Sequence, residues 1–174
     1  MLTSSKRHTI HDTDQSVVQI DYTDIREAAL TDSKASLALA IYERSGRHTR
    51  DAMAFLKRAR WVFAPDPAHM VDTTATDMAD FIMLDHEPNH FVMDGERIQG
   101  QKLADASSPL AKAVAIHTYG QVKQLGIPAF YTVAMPERVY HRIMFPFGEA
   151  GSVSRIITLV HPILHRKRLH EILH

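Results

Sequence analysis

Apolar and polar positions change their rhythm along this chain, and the changes mark its elements. The first 22 residues are mostly polar and read as loosely ordered, with a short strand at "SVVQI". Asp24 followed three residues later by Glu27 has the spacing of a capping box, so a helix is expected to start there. "TDSK" interrupts it, "ASLALAIYERSG" resumes it, and Gly46 is the expected stop. In the next helix Thr49 is the expected cap. Ala52, Phe55, Leu56, Ala59 and Val62 recur at three- and four-residue spacing and share one face, with Arg50, Asp51, Lys57 and Arg58 on or near the other. "APDP" ends this helix, because proline removes a backbone donor and constrains the residue before it.

From Asp80 onward the rhythm is that of strands. "DFIMLDHEP" and "HFVMDGERI", separated by Pro88-Asn89, read as a hairpin or two neighbouring strands. "ERIQGQKLAD" is a connection that bends at Gly95 and Gly100. Ser108-Pro109 then opens a helix, with serine as cap and proline at the first helical position, and Gly126 closes it. Three strand-like runs follow: "PAFYTVAM", "RVYHRIMFPF" and "SVSRIITLVHPI". Pro136-Glu137 and "GEAG" divide them. The middle run is apolar on both faces in places, which implies that both sides of the sheet are covered. The last segment, "ILHRKRLHEILH", reads as a short terminal helix. Consecutive strands joined by tight turns argue against a parallel doubly wound sheet. The expectation is an α+β protein with a five-stranded antiparallel sheet and a crossover helix. Its expected divisions are a polar segment at 1–22, helices at 23–65, the sheet-bearing domain at 66–162 and a C-terminal helix at 163–174.

Composition narrows the chemistry. A chain of 174 residues, 45% hydrophobic and 23% charged, is long enough for a core of its own. Twenty basic residues balance twenty acidic ones, so no overall positive field favours nucleic acid. The absence of cysteine excludes disulfides, thiolate metal sites and a cysteine nucleophile. No apolar run approaches the length of a signal peptide or a membrane span, and a cytoplasmic location is expected by elimination.

Several of these stretches together resemble a bacterial PAS-like family of small stand-alone proteins, over about residues 62–162. The resemblance lies in the run from "APDP" to "DFIMLDHEP", in "GQKLAD", in "YGQVKQLGIPAFY", and in "VYHRIMFPFGEAGSVSRIITLV" with Tyr140, Pro146-Phe147 and Gly151. The chain order is that of a PAS domain: two strands, a helical crossover, three strands. The connection between "HFVMDGERI" and "GQKLAD" is shorter than in the family, where more helical residues help wall a ligand cavity, which argues against a large cofactor. The resemblance implies sensing, scaffolding or dimer formation, not catalysis. A homodimer or a protein partner would dock on the flanking helices, at 49–63 and at the C-terminus.

Twelve histidines and one motif raise metal chemistry. His170-Glu171-Ile172-Leu173-His174 spells H-E-x-x-H, which on a helix can hold zinc beside a general base. Four points make it a chance match. His174 ends the chain, no further ligand follows, no upstream segment supplies a recognisable third ligand, and the two histidines point roughly 120° from the apolar stripe of Leu169, Ile172 and Leu173 at about 100° per residue. His86, Glu87 and His90 could meet at a hairpin tip, and His161 and His165 are also four apart. The cluster "HRKR" at 165–168 reads as solvated charge, or as a contact for phosphate or an acidic partner. No nucleophile elbow, dinucleotide fingerprint or P-loop is present.

The remaining candidate is the side of the sheet facing the crossover helix. Tyr140, Arg142 and Met144 alternate with His141, Ile143 and Phe145 along one strand, and Tyr119 and Tyr131 can reach the same volume. These five residues, Tyr119, Tyr131, Tyr140, Arg142 and Met144, either line a small ligand pocket with Arg142 as an anion handle or form a packed core with Arg142 ion-paired at its rim. The sequence requires no cofactor. The function it favours is a sensory or regulatory module that binds a small ligand or a protein, with a ligand-free scaffold and a small metal hydrolase as alternatives.

Overall fold

The computed structural model describes residues 6–11, 17–87, 98–106, 108–136 and 138–165. In chain order they form β1 (Lys6–His11), β2 (Val17–Asp24), α1 (Ile25–Ala28), α2 (Ser33–Arg44), α3 (Ala52–Phe63), β3 (Ala68–Asp72), β4 (Ile82–Asp85), α4 (Pro109–Leu125), β5 (Ala129–Ala134), β6 (Arg138–Glu149) and β7 (Ser152–His165). The strands make one antiparallel sheet in the order β1-β2-β5-β6-β7-β3-β4.

This corrects the five-stranded expectation: the described sheet has seven strands. The expected short strand at "SVVQI" is the start of β2, and the segment before it, expected to be loosely ordered, contributes β1; the two extend the sheet beyond β5. β3, unforeseen, pairs with both β4 and β7. The expected terminal helix is also corrected, because Ile163–His165 continue β7 opposite β6. The second half of the expected hairpin, residues 91–97, and the chain from 166 onward lie outside the described residues.

Helix ends follow local chemistry. The Ala111 N–H donates to Ser108 Oγ (3.3 Å), Pro109 occupies the first turn of α4, and Gly126 closes it at φ +65° with its N–H on the Val122 carbonyl (2.9 Å). Asp32 caps α2 by accepting from the Ala35 N–H, and Asp24 caps α1 by accepting from the Arg26 N–H. A 3-10 turn at Thr49–Asp51 leads into α3. The β6–β7 hairpin turns at Ala150 and Gly151, both at positive φ, as "GEAG" predicts.

Helices cover both faces of the sheet, so β6 and β7 bury residues on both sides. α1, α2 and α3 enclose one core, in which Tyr42, Phe55, Leu56, Phe145 and Phe147 are buried. α4 covers the other, which holds Tyr119, Tyr131, Tyr140 and Met144. Burial of such residues at about 1.5–3 kcal/mol per large side chain drives this layering. Among the described residues no helix is long and apolar enough to cross a membrane.

Candidate functional site

The strand alternation of β6 sends Tyr140, Arg142 and Met144 toward α4 and His141, Ile143 and Phe145 toward α2 and α3. All five residues singled out from the sequence are buried on the α4 side. Arg142 stands opposite Tyr131 on β5 and Val160 on β7. Its guanidinium carbon lies 5.1 Å from the centre of the Tyr119 ring, a cation–π arrangement. Tyr119 is held in turn by Thr158, whose hydroxyl donates to the tyrosine oxygen at 3.0 Å. Tyr131 donates to Gln121 Oε1 (3.1 Å), and burial raises its pKa. Burial raises the pKa of Tyr140 as well, and neighbouring Arg142 opposes that shift.

Arg142 is the exceptional member. It is only 5% exposed, and its Nε has no hydrogen-bond partner. No carboxylate of the described residues forms an ion pair with it, so the alternative of a rim salt bridge does not describe its position. Its polar neighbours are instead the Tyr119 ring and the Tyr140 hydroxyl, and burying a cation without a counter-charge is costly.

Beside Arg142 lies a partly open cavity of about 20 Å³, room for roughly one water molecule. Its apolar wall includes Met83 from β4, Ile98 and Leu103 from the connection, and Val160 from β7. Its polar wall, besides Tyr119 and Arg142, is His69 from β3 and Lys112 from α4. His69 is buried and stacks on buried His86, with ring centres 4.6 Å apart. Its Nδ1 accepts from the Glu87 N–H (3.2 Å), which leaves the proton of the neutral ring on Nε2. The His69 pKa lies well below the ordinary value, first through burial and then through His86, Arg142 and Arg60.

Sequence reasoning missed His69 and Lys112. His69 belongs to β3, whose pattern "AHMVD" does not alternate, and Lys112 reads as an ordinary helix-surface lysine. Only the pairing of β3 with β7 and the packing of α4 bring them to Arg142.

The other face carries a different cluster. Asp66 accepts from Lys34 Nζ and lies 2.8 Å from His161 Nδ1, while Lys34 Nζ is 2.9 Å from the same nitrogen. His141 Nδ1 is 3.3 Å from Asp32 Oδ2. His161 and His165 are four apart on a strand, so helical spacing does not apply to them. His86 meets His69, and His90 lies outside the described residues, as do His170, Glu171, His174 and residues 166–168 of the basic cluster. Among the described residues no group of three or more histidines and carboxylates is arranged to hold a metal ion. Of the two helices expected at an interface, α3 exposes Trp61 at 83%.

Comparison with protein-family models, with curated proteins and with solved structures gives no match.

Proposed function

We propose that the protein is a sensory or regulatory module that takes a small ligand between α4 and the sheet, with Arg142 as its polar handle. The observation that carries this reading is the buried Arg142 guanidinium, with no carboxylate partner among the described residues, bordering a small cavity. Folding leaves such a charge unpaired at a cost, and a ligand that supplies the missing partner recovers it.

The cavity wall suits binding better than conversion. His69 spends its lone pair on the Glu87 N–H, so it presents a donor rather than a base. A volume of about 20 Å³ has no room for a flavin or haem, and the ligand is correspondingly small. Because β3, β6 and α4 each contribute a polar group, occupancy would tie the helix to two strands, a plausible origin of a signal.

The test is a thermal-unfolding screen of small polar compounds against the wild type and Arg142→Met. At least one compound is expected to raise the wild-type midpoint saturably and leave the variant unmoved. If no compound separates the two proteins, the ligand-binding reading fails and a ligand-free scaffold replaces it.

A further inference from the structure

Each polar side chain among the described residues of the cavity wall carries a hydrogen-bond donor. Arg142 Nε–H has no partner, Lys112 offers an ammonium, and neutral His69 carries its proton on Nε2 because Nδ1 is occupied. Tyr119 accepts from Thr158 and so keeps its own O–H to give. Among the described residues no carboxylate lines the space. A neutral ligand such as an amide brings a donor of its own, and no carboxylate or amide side chain lines the space among the described residues to receive it. A cation would meet Arg142 and Lys112 head-on.

Size narrows the choice further. About 20 Å³ takes one water-sized body, and only modest movement of Met83 or Leu103 would admit a few more atoms. Phosphate and sulfate are too large and carry too much charge for a single buried guanidinium. The apolar wall of Met83, Ile98, Leu103 and Val160 offers nothing to replace a tightly held hydration shell. It favours ions that lose water readily.

We infer that the ligand of this site is a small, weakly hydrated monovalent anion of one to four heavy atoms, such as bromide or nitrate, held by Arg142 and Lys112 beneath the Tyr119 ring. The inference rests on the ligand-binding reading above and assigns its chemical class. Selectivity follows from the wall: bromide and nitrate bind more tightly than fluoride, and sulfate does not enter.

The experiment uses the full chain, dialysed into sodium sulfate buffer and titrated with sodium bromide at constant ionic strength. Calorimetry and thermal unfolding are read for the wild type, Arg142→Met, Arg142→Lys and Lys112→Met. A saturable rise in the wild-type midpoint is expected, absent in Arg142→Met and weakened at least tenfold in affinity in Arg142→Lys, which keeps the charge but loses the fork. Lys112→Met, at a half-exposed position, keeps the test sound if Arg142→Met does not fold, and it too is expected to weaken binding. Crystals grown in bromide should show its anomalous signal beside Arg142 Nε. A bromide effect equal in the wild type and in the Arg142 and Lys112 variants is bulk salt action and overturns the proposal. If bromide and nitrate have no effect but acetamide gives an Arg142-dependent shift, the anion class is wrong and the ligand-binding reading stands. If neither class acts on the wild type, both fall.

Discussion

The two faces of the sheet are built from alternate residues of the same strands, yet they treat charge in opposite ways. On β6, His141 faces the helical layer and meets Asp32, whereas Arg142, the next residue, faces α4 and meets no carboxylate among the described residues. On the first face Lys34 and His161 share Asp66, and Arg60 binds Asp85 and the Ala68 carbonyl. That face is closed by an aromatic cluster in which Tyr42 lies 4.9 Å from Phe145 and 5.5 Å from Phe147, and Phe55 lies 5.1 Å from Phe145. The second face leaves a cavity beside a guanidinium whose Nε has no hydrogen-bond partner. The first face pairs its charges with carboxylates, although His141 Nδ1 stops 3.3 Å from Asp32 without a hydrogen bond, whereas the second places Arg142 beside a cavity.

The largest effect should come from breaking the first face. Phe145 is fully buried at the centre of the aromatic cluster. Phe145→Ala is expected to lower unfolding stability by about 3–5 kcal/mol, measured by urea denaturation. A loss below about 1 kcal/mol would mean that the cluster collapses around the gap and that the packing described here does not hold the layers together.

The next comparison is in pH, between a histidine of each face. His69 has its pKa pushed well below 6.5, chiefly by burial. His141 is also lowered, again chiefly by burial, but Asp32 pulls it back up. A histidine kept neutral by the fold binds fewer protons than in the unfolded chain, so its contribution is complete above about pH 6.5 and is lost as pH falls from there toward the folded-state pKa. Unfolding free energy should therefore decline between pH 7.5 and 5.5. His69→Gln should flatten that decline more than His141→Gln. The reverse ranking, in denaturation curves at the two pH values, would place the stronger desolvation on the wrong face.

Arg142→Met reverses the sign of the Phe145 experiment. Both side chains are buried, but methionine removes an unpaired charge rather than a well-packed ring. In anion-free buffer the variant is expected to be more stable than the wild type by about 1–2 kcal/mol. A loss of stability of that size would mean that the Tyr119 ring and the Tyr140 hydroxyl already satisfy the guanidinium.

Much of the scaffold could be read from residues whose signal is local. Ser108-Pro109 and Gly126 bound α4, and the spacing of Ala52, Phe55, Leu56 and Ala59 marks the buried face of α3, although Phe63 rather than Val62 completes its fully buried set. β1 escaped notice because "KRHTIH" is an exposed edge strand with no apolar stripe. β3 escaped because it is buried on both faces and does not alternate. The end of β7 misled because "HPILHRKR" carries a proline and a run of charge, whereas in the fold Pro162 sits opposite Tyr140, beside a register shift in β6. Arg142 stood out as a lone charge between apolar strand residues. Its neighbours His69 and Lys112 did not, because they reach it only through long-range pairing.

The finest comparison sets one tyrosine hydroxyl against another. Tyr42, on the closed face, donates to the Pro146 carbonyl at 2.7 Å, and both residues are buried. Tyr131, on the open face, donates at 3.1 Å to the side chain of Gln121, which is only partly buried. Tyr42→Phe strands a buried backbone acceptor and should cost about 1–2 kcal/mol. Tyr131→Phe leaves an acceptor that can turn to water, and should cost about 0.5 kcal/mol. Equal costs in paired denaturation curves would show that Gln121 is as tightly enclosed as the Pro146 carbonyl. The difference between the faces would then lie in Arg142 and its cavity alone.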